Sequence, residues 1–204
     1  MTSGLLQRYS ECEMPTRFGQ FRAITYRDRL TGTEHIALVR GVLAGSLGAA
    51  VRVHSECLTG EAFGSLRCDC GDQLQTALEI IDRNGFGCLI YLRGQEGRGI
   101  GLARKIAAYH LQDRGLDTFD ANVALGLPAD GRDYDAAVEI LKDLDIRSIT
   151  LLTNNPSKAE ALSNAGIDIV ARQSLFIASN DVNAAYLKTK CDRFGHSYVD
   201  GKFR

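Results

Sequence analysis

Three cysteines stand close together in the chain, at positions 57, 68 and 70, and their number and spacing suit a metal site. Cys68 and Cys70 are separated by a single aspartate and do not follow the apolar spacing of a core helix or strand. A tetrahedral zinc ion with three protein ligands keeps its fourth position for water, which is the pattern of catalytic zinc. Buried apolar cysteines or disulfides are the other explanation. The spacing favours one zinc ion on Cys57, Cys68 and Cys70, and with it hydrolytic chemistry.

The remaining cysteines and the start of the chain point to a reducing compartment. Cys88 lies in the apolar run 87–91 and is expected in the core, whereas Cys12 and Cys191 are isolated. The first four residues, MTSG, have neither the basic nor the apolar segment of a secretory signal. We therefore expect a cytoplasmic protein without disulfides.

Length and composition predict one ordinary globular domain. The 204 residues are 45% hydrophobic and 24% charged, enough for a single sizeable core, so the domain is expected to cover residues 1–204. The net charge of −1 gives no long-range field for nucleic acid, and local arginines would have to hold any anionic ligand. No apolar stretch of the sequence reaches the roughly 20 residues of a membrane span. Neither nucleic acid nor a membrane is an expected partner.

Two patterns of hydrophobicity divide the chain. Residues 17–57 are strand-rich, with short segments expected to be antiparallel neighbours at Phe18–Arg27, Glu34–Arg40 and Ala49–Glu56. In residues 70–175 helices and strands alternate. The expected helices are Asp72–Asn84, Leu102–Arg114, Asp133–Leu144 and Pro156–Ala165, and the expected strands are Gly87–Leu92, Ser148–Thr153 and Ile167–Ala171. Residues 176–204 form a C-terminal tail. This order predicts an α/β fold, a single layered domain with a mixed, partly parallel sheet and flanking helices.

Two loops after expected strands suit an anionic ligand, because ligands of open α/β sheets bind beyond the carboxyl ends of the strands. The segment 93–101 holds four glycines and leads into a helix, so its backbone amides and Arg98 suit a phosphate. After the strand ending near Leu152, Thr153 and Lys158 flank the start of another helix. A plain flexible turn would also explain the first loop. Two such loops at one sheet edge favour phosphate binding.

The segment before the first cysteine carries charged residues at alternate positions. A strand there places Arg52, His54 and Glu56 on one face, which suggests contact with a substrate, although a solvated strand face has the same pattern. The His-x-Glu at positions 54–56 also occurs in zinc nucleobase deaminases. Those proteins need a downstream Pro-Cys-x-x-Cys, whereas this chain has Cys-Asp-Cys, so the deaminase fold is disfavoured.

Several longer motifs follow one another between residues 52 and 156: RVHSECLTG (52–60), SLRCDCG (65–71), EGRGIGL (96–102), DTFDAN (117–122) and LLTNNP (151–156). In this order they resemble the GTP cyclohydrolase II family, and the resemblance runs from about residue 51 to residue 195. The resemblance implies opening of the guanine imidazole ring of GTP with release of formate and pyrophosphate, the first step of riboflavin biosynthesis. It also implies zinc on the three cysteines, Mg²⁺ with the triphosphate, and a homodimer.

The same resemblance implies a role for individual residues. The expected GTP contacts are Arg52, Val53, His54, Ser55, Glu56, Gln73, Glu96, Gly97, Arg98, Thr118, Thr153 and Lys158. Asp130 and Arg132 match the family's Asp-x-Arg catalytic pair, and Tyr109 matches a tyrosine near the reacting base. Arg132 would be either a nucleophile on the α-phosphorus or a stabiliser of charge, and the sequence leaves both open. The chain departs from the family in Gly94, which lengthens the glycine loop.

Three functions are compatible with the sequence. The first is GTP cyclohydrolase II in riboflavin biosynthesis. The second is a paralogue with the same GTP site that stops at the formamide or serves another pathway. The third is a zinc-stabilised nucleotide-binding module without turnover, which the presence of Tyr109, Asp130 and Arg132 disfavours. No segment resembles the butanone-phosphate synthase fused to some family members, so a monofunctional chain is expected.

Overall fold

The computed structural model describes residues 5–128 and 130–196, so residues 1–4, 129 and 197–204 of the expected domain lie outside the described residues. The described part contains one seven-stranded sheet in the order β1-β2-β3-β5-β4-β6-β7. Its strands are β1 (Leu6–Thr16), β2 (Gly19–Asp28), β3 (Glu34–Arg40), β4 (Ala49–Ser55), β5 (Gly87–Leu92), β6 (Ser148–Leu152) and β7 (Asp168–Gln173). The half from β1 to β5 is antiparallel and the half from β5 to β7 is parallel. The expected mixed α/β sheet is confirmed.

Eight helical segments accompany the sheet in the described residues. They are α1 (Leu58–Glu61), α2 (Cys70–Asn84), α3 (Glu96–Gly99), α4 (Leu102–Gln112), α5 (Thr118–Ala124), α6 (Asp135–Asp143), α7 (Pro156–Asn164) and α8 (Ala184–Phe194). The four expected helices correspond to α2, α4, α6 and α7, with ends within two residues of the prediction. Gly85 ends α2 with a φ of 66°, and the Asn155 side chain accepts a hydrogen bond from the Ser157 amide at the start of α7.

The expected antiparallel pairing of β3 with β4 is wrong. β5 lies between them, because Cys88 pairs with Val39 of β3 on one side and with Val51 of β4 on the other. Six of the seven β4 residues are buried, as in a central parallel strand covered on both faces. A further strand, β1, precedes the predicted ones. It is exposed along most of its length, so it lacks the apolar alternation that would have revealed it.

The core fixes the carboxyl ends of the three central strands at one edge of the sheet. Neighbouring residues of β5 enter opposite clusters of buried residues: Leu89 packs with Ile81 of α2, and Ile90 packs with Ile140 of α6. Cys88 is fully buried among them, as expected. No helix in residues 5–128 or 130–196 is long and apolar enough to cross a membrane.

Candidate active site

A cavity opens where β4, β5 and β6 end. Its floor includes Ser55 at the end of β4, Gln95 after β5 and Thr153 after β6, and further walls come from α4, α5 and α8. The predicted residues that line it are Arg52, His54, Ser55, Glu56, Gln73, Gly97, Arg98, Tyr109, Thr118, Arg132, Thr153, Lys158 and the three cysteines. The fold thus brings most of the predicted site to one place at the carboxyl edge of the parallel strands.

The three cysteines meet at one wall of this cavity. Cys57 follows β4, while Cys68 and Cys70 lie at the start of α2, and their sulfur atoms lie within 4.8 Å of one another. The sulfurs of Cys57 and Cys68 are 3.7 Å apart. Two thiolates at about 2.3 Å from a tetrahedral zinc ion stand roughly 3.8 Å apart, so this donor set fits zinc. Gly60 completes the fit, because a Cβ there would lie 2.7 Å from the Cys68 sulfur.

Lys105 of α4 places a positive charge beside the cysteines. Its Nζ donates hydrogen bonds to the Cys57 sulfur at 3.1 Å and to Thr59 Oγ1 at 2.8 Å, and it forms an ion pair with Glu96. Burial disfavours the charged ammonium, but the Cys57 thiolate and the Glu96 carboxylate outweigh it and raise the pKa of Lys105 above its ordinary value. Lys105 therefore stays charged and favours the thiolate form that metal binding requires.

A chain of buried polar groups runs behind the cavity floor. Arg52 donates to the Leu152 carbonyl at 3.0 Å and to Gln73 Oε1 at 2.6 Å. Gln73 Nε2 donates to Asp69, whose other carboxylate oxygen accepts a 2.6 Å hydrogen bond from Lys190 of α8. Burial lowers the pKa of Arg52 to about 10, which still leaves it charged at neutral pH. This chain joins β4, α2 and α8, so the face of β4 that carries Arg52 is buried and not a solvated strand face.

His54 is oriented by a carboxylate. Its Nε2 lies 2.8 Å from Glu61 Oε1, and its ring stacks on Tyr91 with centroids 5.6 Å apart. Burial lowers the pKa of His54 to about 4, so the imidazole is neutral at pH 7. With its proton on Nε2, the neutral imidazole donates to Glu61 Oε1, and Nδ1 is left to accept from Arg52.

Asp130 and Arg132 form the expected pair. The Asp130 carboxylate accepts hydrogen bonds from Arg132 Nε at 2.9 Å, from its Nη2, and from its backbone amide at 3.1 Å. Burial disfavours the charge of Arg132, but its hydrogen bond to the Asp130 carboxylate outweighs this effect and raises the pKa of Arg132. This two-pronged contact orients the guanidinium, which lines the cavity, while Asp130 stands behind it.

The glycine loop and α7 present cationic groups to the same cavity. Gly97 and Arg98 both adopt left-handed backbone conformations, with φ of 61° and 64°. The added Gly94 has a φ of 77°, and its amide donates to Glu56 at 2.7 Å, so this carboxylate holds the longer loop. Lys158 is buried and donates to the Val53 carbonyl at 2.6 Å; burial holds its pKa well below the ordinary value.

The chain is similar in sequence to a known protein family and to curated proteins. A profile described as GTP cyclohydrolase II matches residues 7–174. The chain belongs to the GTP cyclohydrolase II family. Riboflavin biosynthesis proteins RibBA are 53% identical over 192 residues in Nocardia farcinica, 52% over 198 in Rhodococcus jostii and 53% over 195 in Mycobacterium tuberculosis. These matches cover 94%, 95% and 94% of this chain and 46%, 48% and 46% of the relatives. The chain thus spans about half the length of the curated relatives it matches.

A solved structure shares the fold of this GTP cyclohydrolase II family member. It is RibBX, a two-domain 3,4-dihydroxy-2-butanone 4-phosphate synthase from A. baumannii, with a TM-score of 0.50 and 20% sequence identity. The match covers 87% of this chain and 42% of that chain. At this identity the likeness concerns the arrangement of the sheet and helices.

Three residues expected to contact GTP or to catalyse do not line the cavity of this family member. Val53 is fully buried in the core and offers its carbonyl to Lys158. Glu96 is turned inward, where one carboxylate oxygen accepts the Leu58 amide at 2.6 Å and the other pairs with Lys105. Asp130 stands behind Arg132. In this structure all three hold other groups of the site in place.

Several lining residues were not singled out from the sequence. They are Gln95, Ile100, Lys105, Ala108, Gln112, Asn122, Asn154, Asn155, Tyr186, Lys190, Phe194 and His196. Some of them lie in segments whose motifs were recognised, so proximity to the glycine loop or to the LLTNNP motif was the available signal. The last four belong to α8 and the residues after it, a region expected only as a tail, and no motif marked them.

Proposed function

We propose that this chain is a zinc-dependent GTP cyclohydrolase II. It opens the imidazole ring of GTP and releases formate and pyrophosphate, giving 2,5-diamino-6-(5-phosphoribosylamino)pyrimidin-4-one in the first step of riboflavin biosynthesis. The observation that carries this proposal is one cavity with a three-sulfur cluster that could hold a metal at one wall and basic side chains, the partly buried Arg132 and the buried Lys158, at another. Family membership and the names of the relatives support the same reaction.

The metal end of the cavity would perform the ring opening. Cys57, Cys68 and Cys70 would hold one zinc ion, which when bound supplies a Lewis acid that makes water nucleophilic at neutral pH. Lys105 keeps Cys57 ionised and in place. Burial raises the pKa of Tyr109, so its hydroxyl keeps its proton at neutral pH and can donate it to a purine nitrogen or oxygen in the same cavity.

The cationic end would hold the triphosphate, together with Mg²⁺. Arg132 stays protonated beside Asp130, and a protonated guanidinium has no lone pair with which to attack phosphorus. This favours the charge-stabilising role of Arg132 over the nucleophilic one. Lys158 and Arg98 line the same cavity and would share the neutralisation of charge as pyrophosphate leaves.

The test is product analysis with a matched cysteine control. The purified chain, with Zn²⁺, Mg²⁺ and GTP, is expected to form formate, pyrophosphate and the diaminopyrimidinone, identified by mass spectrometry. Cys68→Ser is expected to lose both zinc and formate, because a two-thiolate site binds zinc much more weakly. Cys12→Ser, at an exposed cysteine remote from the cluster, should keep both. Full zinc in Cys68→Ser, or absence of formate from the wild type, would contradict the proposal.

The alternative of a paralogue that stops at the formamide predicts a different mass spectrum. Its pyrimidine product would keep the formyl group, and no free formate would appear. The same incubation therefore separates the two functions.

We also propose that the chain forms a homodimer in the cytoplasm. Size-exclusion chromatography with light scattering would give the mass of the assembly, and a mass of one chain would contradict the dimer.

A further inference from the structure

We propose that α8 is a working wall of the substrate site and that Phe194 positions the guanidinium of Arg98 for substrate. This inference rests on the proposed function. The helix lies beyond residues 7–174, which the family profile matches, yet its side of the cavity is built from Tyr186, Lys190 and Phe194. This side of the cavity therefore comes from a segment beyond the residues that the family profile matches.

The backbone conformation of Arg98 is unusual, and contacts with two other segments of the chain hold this residue in place. Its φ of 64° lies in the left-handed region that a non-glycine residue rarely adopts, and its carbonyl accepts a 3.0 Å hydrogen bond from the Gly131 amide. The Cζ of Arg98 lies 4.0 Å from the centroid of the Phe194 ring. The backbone is thus fixed by the segment that carries Arg132, and the side chain is fixed by α8.

The guanidinium of Arg98 has a hydrogen-bond donor that no described residue satisfies. Its Nη1 is buried and has no hydrogen-bond partner among the residues that the structure describes. Buried donors in folded proteins are nearly always satisfied, so an unsatisfied one that lines a cavity points to a ligand acceptor. The ring of Phe194 attracts the cation through its face without consuming its N–H groups, which remain available for an anionic substrate.

The last turn of α8 is anchored well enough to hold this ring. The Phe194 ring packs against Phe119 of α5 with centroids 6.0 Å apart. Arg193 reaches Asp117 at 3.8 Å and Asp120 at 3.9 Å, and Lys190 one turn earlier is bonded to Asp69. Because these contacts fix the ring relative to α5 and α2, replacing the ring should release Arg98 without releasing the helix.

The experiment compares Phe194→Leu and Phe194→Trp with Phe176→Leu, a matched change at an aromatic residue that is 54% exposed and does not line the cavity. The KM for GTP is the main readout, since KM does not depend on how much of the enzyme is folded. Phe194→Leu should raise KM about five- to twentyfold with a smaller change in kcat, because leucine has no ring face for a cation. Phe194→Trp and Phe176→Leu should stay within about twofold of the wild type.

A double-mutant cycle tests whether Phe194 acts through Arg98. In an Arg98→Met background, Phe194→Leu should raise KM no further, because the residue that it positions is gone. An unchanged KM in Phe194→Leu would overturn the inference. So would equal losses in the leucine and tryptophan variants, or full additivity with Arg98→Met.

Direct binding of GTP by calorimetry separates this inference from the proposed function. A wild-type chain that binds GTP without forming formate would contradict the proposed function, and the dissociation constants of the same variants would then decide the role of Phe194. A wild-type chain that does not bind GTP at all would overturn both.

Discussion

Lys158 differs from the two other buried lysines that line the cavity. Each of those forms an ion pair with a buried carboxylate: Lys105 with Glu96 and Lys190 with Asp69. Lys158 is 4% exposed, and within residues 5–128 and 130–196 no carboxylate pairs with its Nζ. Burying a charge without a partner costs stability. An anion bound at this wall, as in the proposed function, would offset that cost and favour the charged form of Lys158.

Replacement of Lys158 should weaken the binding of GTP without lowering the stability of the protein. Lys158→Met removes the unpaired buried charge, so the free energy of unfolding should stay equal or rise, while KM for GTP should rise at least about tenfold. Urea denaturation and steady-state kinetics measure the two quantities. Lys188→Met, at a lysine whose side chain is 65% exposed on α8, serves as the control and should change neither. A large loss of stability in Lys158→Met would show that the charge is needed for folding.

The stability of the protein should fall between pH 6.5 and pH 4 because of His54. Burial lowers the pKa of folded His54 to about 4 from the ordinary 6.5, so the unfolded state binds the proton first as pH falls. The contribution of this residue is fully present above pH 6.5 and is lost toward pH 4, and it amounts to about 3 kcal/mol. His54→Gln keeps a donor for Glu61 but does not titrate. Its free energy of unfolding should therefore depend less on pH in this window, and equal pH dependence in the two proteins would contradict the assignment.

The cysteines could be predicted from the sequence, whereas their charged neighbour could not. Cys57, Cys68 and Cys70 lie within fourteen residues, and a shared metal explains their spacing. Lys105 is 48 residues from Cys57, and the contact exists only because the fold brings the Lys105 side chain of α4 to residues 57–59. Its position in the sequence resembles that of any lysine on an amphipathic helix.

The short helix α1 lies between Cys57 and the other two cysteines and holds all three close together. Cys57 precedes it, and Gly60 within it lies against Cys68 and Cys70, where a Cβ would come within 2.7 Å of the first sulfur and 3.3 Å of the Cys57 sulfur. The 2.7 Å distance to the Cys68 sulfur is shorter than real Cβ contacts, and the 3.3 Å distance to the Cys57 sulfur is tighter than most of them. The absence of a side chain at this position therefore sets the geometry of the metal site.

A methyl group added at Gly60 should weaken zinc binding more than it lowers the stability of the fold. Gly60→Ala should lower the zinc content per chain and the affinity for zinc, because the sulfurs must move apart to admit the Cβ. Gly64→Ala is the control: open space surrounds its Cβ, but its φ of 63° costs about 1 kcal/mol of stability. Zinc analysis and thermal denaturation of both variants distinguish the effects. A fully loaded Gly60→Ala protein would contradict this account.

Local sequence patterns predicted most of the helices and strands, but not which strands lie side by side in the sheet. The helices α2 and α7 followed from amphipathic spacing, a glycine after the helix and a proline at its start. The position of β4 did not follow, since its parallel partners β5 and β6 are distant in the chain and pairing depends on the whole sheet. The helix α8 was missed because residues 176–204 carry no recognised motif.

Segments that are distant in the sequence come together to form the cavity. The ends of β4, β5 and β6 supply its floor, and α8 closes it from the far end of the sequence. Motif resemblance could identify the residues of the first three segments, but only the sheet order explains why they converge. This arrangement sets the three-cysteine cluster at one wall and Arg132 at another, so the nucleotide of the proposed function would meet both.

Mutations should therefore separate ring opening, which releases formate, from cleavage of the triphosphate, which releases pyrophosphate. Cys57→Ser removes a metal ligand, yet Lys105 keeps Thr59 and Glu96 as partners, so the fold should persist. This variant should release some pyrophosphate from GTP and no formate. Arg132→Ala should lower pyrophosphate release by about a hundredfold or more, because it removes the charge that the proposed mechanism places beside the leaving group. Formate and pyrophosphate are quantified in parallel for both variants and the wild type.

Each outcome of this comparison assigns a role. If Arg132→Ala also loses formate, cleavage of the triphosphate precedes ring opening. A folded, GTP-binding Cys57→Ser protein that releases neither product would mean that the phosphate step needs the metal, and the division of the cavity into two chemical ends would be wrong. Pyrophosphate release at a near wild-type rate from Arg132→Ala would exclude both the nucleophilic and the charge-stabilising role, because a positioned guanidinium that contributes nothing to the departing charge has no part in that step.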